Sequence, residues 1–124
     1  MDSLVKKRRP RQTTGTTYRI EVGCGHLYII TGHNKDGELI EIFAKLGKSG
    51  GCAMSQMEGI TRSVSLGLKY GIPIEEFVDQ LEFIQCPSPS LSPNDELESM
   101  EEVKSCSDAI AKVLKKELSL VKKT

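Results

Sequence analysis

Apolar residues take alternate places near the start of the chain. Tyr18, Ile20 and Val22 alternate with Thr17, Arg19 and Glu21, the period of a strand with one buried face. Leu27-Tyr28-Ile29-Ile30-Thr31 is a second strand pattern, rich in β-branched and aromatic side chains. Asn34-Lys35-Asp36-Gly37 predicts a turn, with Asp36-Gly37 as its hairpin signal. Ile40, Ile42, Ala44 and Leu46 then alternate with Glu41, Phe43 and Lys45 as a third strand. Three strands in sequence with short connections predict an antiparallel meander.

The period then changes. From Cys52 to Tyr70, Ala53, Met57, Ile60, Val64 and Leu68 recur every three or four residues, which is one helical face. Gly71 follows where a helix C-terminal glycine belongs. Ile74, Phe77, Val78, Leu81 and Ile84 predict a second helix, with Pro73 suited to its first turn. Ala109, Ile110, Val113, Leu114 and Leu118 predict a third, and Ser105 with Asp108 has capping-box spacing at its start. Strands first and helices afterwards predict an α+β fold, a three-stranded antiparallel meander followed by three helices packed on one face.

Two stretches lack the apolar content to bury a face. Residues 1–15, with Lys6, Lys7, Arg8, Arg9 and Arg11 against Asp2, read as a basic disordered arm. Its plainer reading is a solubilising tail, and the sharper one is contact with nucleic acid or an acidic surface. Residues 87–102 begin Pro87-Ser88-Pro89-Ser90 and gather acids from Asp95 onward, so they read as a mobile linker. The folded unit is then residues 16–121 around that linker.

Composition adds limits. The 124 residues suit one domain, and only 38% are apolar and 5% aromatic, with no Trp, so the core is thin. Lys plus Arg and Asp plus Glu are both 17. Zero net charge, and no aromatic base-stacking platform evident in the sequence, weigh against nucleic acid as a partner. No apolar run spans a membrane, and the charged N-terminus lacks the apolar stretch of a secretory signal. These features predict a cytoplasmic protein, where cysteines serve as thiols or metal ligands more often than in disulfides.

The four cysteines all mark element ends. Cys24 lies between Gly23 and Gly25, Cys52 opens the first helix after Gly50-Gly51, Cys86 precedes Pro87, and Cys106 opens the third helix. At a helix N-terminus, unpaired N–H groups and the dipole favour the thiolate, the form that attacks or binds metal. No CxxC pair is present, so a shared site needs assembly by the fold. His26 and His33 are alternative ligands, although an exposed strand or turn position is the plainer reading of each. Lys48, Ser49, Gly50 and Gly51 are similar to the end of a phosphate loop, but Ile42 occupies the place of that motif's first glycine. A weak anion site at the helix start is one reading, and a turn for close helix packing is the plainer one. No paired carboxylates or Ser–His–Asp arrangement supplies catalytic residues.

Several segments together resemble a known family. Thr17-Tyr18-Arg19-Ile20, Gly23-Cys24-Gly25, Leu27-Tyr28, Leu46 to Ala53, Ile84-Gln85-Cys86-Pro87 and Ser105-Cys106-Ser107-Asp108-Ala109 resemble the TSCPD domain. That domain forms a C-terminal region of adenosylcobalamin-dependent (class II) ribonucleotide reductases and also occurs free-standing. The likeness covers about residues 17–115. In the family's naming motif, Lys104 stands for threonine and Ser107 for proline, while Ser105, Cys106 and Asp108 remain.

The resemblance implies an accessory module of the vitamin B12-dependent ribonucleoside-diphosphate reductase system, serving deoxyribonucleotide synthesis. It would partner the catalytic chain, bind adenosylcobalamin only through that chain, and not be catalytic alone, since the oxidoreductase barrel is absent. The resemblance also implies a shared role for Cys24, Cys52, Cys86 and Cys106, because free-standing relatives carry cysteines there. A looser likeness to U-type iron–sulfur scaffold proteins points the same way. The alternative function is therefore a four-cysteine protein holding zinc or an iron–sulfur cluster. The sequence leaves a homo-oligomer open.

Overall fold

The computed structural model describes residues 4–23, 25–47, 51–86 and 102–122. Its elements run β1 (Thr17–Val22), β2 (Gly25–His33), β3 (Leu39–Leu46), α1 (Cys52–Lys69), α2 (Ile74–Leu81) and α3 (Cys106–Lys122). The sheet order is β1-β2-β3, antiparallel throughout. The α+β meander followed by three helices is thus the observed fold.

Pleat alternation decides which side chains meet the helices. Tyr18 and Ile20 lie opposite Ile29 and Leu27, which lie opposite Ala44 and Leu46. These six, with Val22, Thr31 and Ile42, are the buried sheet face. Ile110, Val113 and Leu114 of α3 and Met57, Val64 and Leu68 of α1 complete the core. The hairpin after β2 closes on Asn34, whose Oδ1 accepts the N–H groups of Asp36 (3.0 Å) and Glu38 (2.9 Å).

β3 is an edge strand, and its outer N–H and C=O groups need partners. Helix α1 supplies them at Ile42 and Leu46. Ser65 Oγ accepts from Ile42 N–H at 2.9 Å and donates to Ile42 O at 3.0 Å. Leu46 N–H points at Met54 Sδ, 3.3 Å away. The helix therefore runs back along the strand and blunts its edge. It ends as the sequence predicts: Gly71 has φ 88°, and the N–H groups of Gly71 and Ile72 return to Leu68 O and Gly67 O, both at 3.0 Å, a Schellman closure.

Helix α2 is shorter than its apolar pattern predicts. Ile84 lies outside it and is exposed, because the helix stops at Leu81. Phe83 takes φ 68°, an uncommon conformation for a bulky side chain, and its N–H donates to Asp108 Oδ1 at 2.8 Å. A tertiary hydrogen bond thus outweighs local periodicity.

The basic stretch at the start of the chain is placed against the fold from Lys7 onward. Lys7 N–H donates to Lys69 O at the end of α1 (2.8 Å), and Lys7 Nζ meets Glu38 at 2.7 Å. Arg9 Nε lies 2.9 Å from Glu41 Oε2. The Glu41 side chain occupies the space that a Cβ on Gly32 would need, so it lies flat over β2 and only 2% of Glu41 is exposed. Thr14 and His33 exchange backbone hydrogen bonds, extending the ladder beyond β1. Residues 87–101, most of the expected linker, lie outside the described residues.

A buried polar contact joins α3 to the sheet. Tyr18 Oη donates to Glu117 Oε2 at 2.5 Å, and His33 Nε2 meets Glu117 Oε1 at 2.6 Å. Burial first, then the hydrogen bond and charge of Glu117, push the Tyr18 hydroxyl above its ordinary value of 10.0. A group that ionises less readily when folded contributes stability in full below its unfolded value and loses it as pH rises toward the folded one. Stability toward urea is therefore expected to fall steadily above about pH 10. Tyr18→Phe removes the part of that slope due to Tyr18, seen as a flatter alkaline profile; identical profiles would contradict the assignment.

Candidate functional site

The segment that leads into α3 is organised by one carboxylate. Ser105 caps the helix, its Oγ accepting Asp108 N–H at 3.0 Å. The Asp108 carboxylate does not close a simple capping box. Its Oδ1 accepts Phe83 N–H and its Oδ2 accepts Lys104 N–H, at 2.8 and 2.9 Å. Lys112, one turn on, donates to both oxygens at 2.9 Å. Asp108 is fully buried and Lys112 is 7% exposed. Lys112 Nζ also lies 5.1 Å from the Phe83 ring centre, a cation–π distance.

This arrangement positions two of the predicted cysteines. Cys86 N–H donates to Lys104 O at 3.0 Å, so Cys86 is laid beside the residue two places before Cys106. Cys106 is the first residue of α3, half-buried against the core. Cys52 opens α1 and is exposed. Gly51 precedes it at φ 51°, no side chain caps this helix, and its first turn holds no acid. Cys52 and Cys86 are free thiols. Cys24 lies outside the described residues, and so do Lys48, Ser49 and Gly50 of the proposed anion turn.

Among the described residues, no three His, Cys, Asp or Glu side chains come together as a metal site. The histidines are engaged elsewhere. His26 is exposed on β2 and bonds to Glu21 (2.8 Å) and Arg19 (3.0 Å). His33 is not the exposed turn residue of the plainer reading, since it is half-buried on Glu117. The fold thus lays Cys86 beside Lys104, two residues before Cys106, and the described residues do not complete a ligand set. What the sequence does not announce is the burial of three carboxylates, Glu41, Asp108 and Glu117. Asp108–Lys112 had a visible signal in its i,i+4 spacing; Glu117 had none.

The family model described as the TSCPD domain matches residues 4–118. The chain belongs to the TSCPD domain family. The TSCPD match begins within the basic stretch, in keeping with the contacts of Lys7 and Arg9. Among curated relatives, a vitamin B12-dependent ribonucleotide reductase of Bradyrhizobium diazoefficiens is 34% identical over 93 residues, 74% of this chain and 7% of that protein. The namesake protein of Agrobacterium fabrum is 32% identical over 98 residues, 78% and 8%. That of Streptomyces coelicolor is 34% identical over 76 residues, 61% and 8%. This TSCPD chain therefore matches less than a tenth of the length of each of these three relatives. No solved structure matches it. Among the described residues, no helix is long and apolar enough to cross a membrane.

Asp108 leaves a measurable trace. Asp108→Asn strands the buried Lys112 ammonium and weakens two backbone hydrogen bonds. A loss of about 3–5 kcal/mol in urea unfolding is expected, whereas a loss under about 1 kcal/mol, typical of exposed ion pairs, would contradict the role given to Asp108.

Proposed function

We propose that the chain works as the TSCPD module of a vitamin B12-dependent ribonucleotide reductase system. It docks on, or forms part of, a catalytic chain and does not reduce nucleotides alone. The observation that carries this reading is the similarity over three quarters of the chain to a region that makes up 7% of a reductase. A region of that size is a supporting module and not a catalytic barrel. The exposed Cys52 and the half-buried Cys86 and Cys106 are the thiol chemistry the module offers. On this reading the protein works in the cytoplasm, and any adenosylcobalamin is held by the catalytic partner.

The test uses the catalytic chain of the same organism. Co-purification of the two chains, and faster ribonucleotide reduction when this chain is added, are expected. No co-purification together with unchanged turnover would overturn the proposal.

A second reading gives Cys24, Cys52, Cys86 and Cys106 a shared zinc ion or iron–sulfur cluster. It is favoured by the laying of Cys86 beside Lys104, close in sequence to Cys106. Thiolates suit both groups, and a structural metal would contribute to folding. Elemental analysis of protein purified without added metal is expected to show bound zinc or iron, with loss of stability on chelation. Less than about 0.1 metal per chain, with four freely titrating thiols, would exclude it.

A further inference from the structure

The face of the sheet turned away from the helices is not an ordinary solvated face. Solvent-facing strand positions are usually polar, yet Ile30 and Phe43, which lie opposite each other, are 39% and 46% exposed. In the next row the register sets Arg19, Tyr28 and Lys45 side by side across the three strands. Tyr28 and Phe43 are diagonal neighbours on adjacent strands, about 7–8 Å apart. A half-buried aromatic ring flanked by two cations thus stands beside an exposed one.

The charges of this face are unevenly satisfied. Its two described carboxylates are engaged: Glu21 by His26 and Arg19, and Glu41 by Arg9. Lys45 has no carboxylate partner among the described residues, and neither have Lys6, Arg8 and Arg11 of the N-terminal stretch. That stretch joins the same face, because Arg9 is fixed on Glu41, two residues from Phe43 and about 7 Å along the strand. Lys6, Lys7, Arg8 and Arg9 with Lys69 line a basic cleft of about 280 Å³. Zero net charge for the whole chain hides this segregation.

We propose that the outer sheet face and the N-terminal basic stretch together bind single-stranded nucleic acid. Tyr28 and Phe43 stack on bases, Ile30 widens the apolar floor, and Arg19, Lys45 and the cations of the stretch take the phosphates. Rings on neighbouring strands of an antiparallel sheet stack unpaired bases in this manner, and base–aromatic stacking with a cationic track binds single strands without reading sequence. A duplex keeps its base faces covered, so it meets the cations and not the rings. This inference does not rest on the reductase reading.

The test follows fluorescence anisotropy of a short labelled oligothymidylate on the full chain. A Kd of about 1–100 µM at low salt is expected. With about five phosphate contacts, log K against log salt should fall with a slope of about −3.5. The Tyr28→Leu/Phe43→Leu pair keeps apolar area but loses the rings. It should weaken binding more than about tenfold with the slope unchanged and the melting curve still cooperative. Arg19→Ala/Lys45→Ala should bring the slope toward about −2. Absence of binding at low salt would overturn the proposal. So would undiminished binding by the ring-less variant, or a duplex of equal charge bound as tightly as the single strand.

Discussion

The fold of this chain turns on the burial of one carboxylate. Asp108 sits at the start of α3 with no solvent contact, and burying a charge is costly unless it is paired and hydrogen-bonded. Lys112 supplies the pair, and Phe83 N–H and Lys104 N–H supply the hydrogen bonds. Each donor belongs to a different piece of chain. Satisfying Asp108 therefore ends α2 at Leu81, turns Phe83 into the left-handed region, and draws the segment before α3 alongside. Cys86 reaches Lys104 as a consequence. In the S-C-x-D remnant of the family's motif, Ser105 caps the helix and Asp108 gathers the chain around it, which leaves Cys106 at the helix start.

Much of the architecture was legible because side-chain period reports backbone geometry directly. The alternation at residues 17–22 and 40–46 gave both strands their full extent, or all but one residue of it. The three-to-four spacing from Ala53 to Leu68 marked α1, and Gly71 marked its end. Ile84 misled because its helical spacing continued past the point where Phe83 N–H turns to Asp108, 25 residues away. Glu41 falls between the apolar positions of the third strand and Glu117 outside the apolar set of the third helix, yet both are buried on partners 99 (Glu117) and 32 (Glu41) residues away. Contacts of that range leave no periodic trace. The basic stretch had no apolar pattern to announce its place, since it is held by ion pairs and backbone bonds.

The candidate site was legible in part. Glycines and helix starts around Cys52 and Cys106 marked element ends, and the fold keeps them there. Which thiols meet depends on long-range chain placement, and spacing along the sequence carries no such information. The aromatic pair on the outer face escaped notice for the same reason: Tyr28 and Phe43 are far apart in sequence and become neighbours only through the β2–β3 register. The two sheet faces thus divide the molecule's work. One is closed by α1 and α3 into the core, and the other stays open with rings and cations.

The dependence of the fold on Asp108 is read most directly by amide hydrogen exchange. Phe83 and Lys104 lie in irregular segments outside the helices and strands, where amides ordinarily exchange fast. Both are expected to be protected, and both to lose protection together in Asp108→Asn while Ile20 and Leu27 in the sheet keep theirs. Fast exchange of Phe83 and Lys104 in the unaltered protein would contradict that dependence.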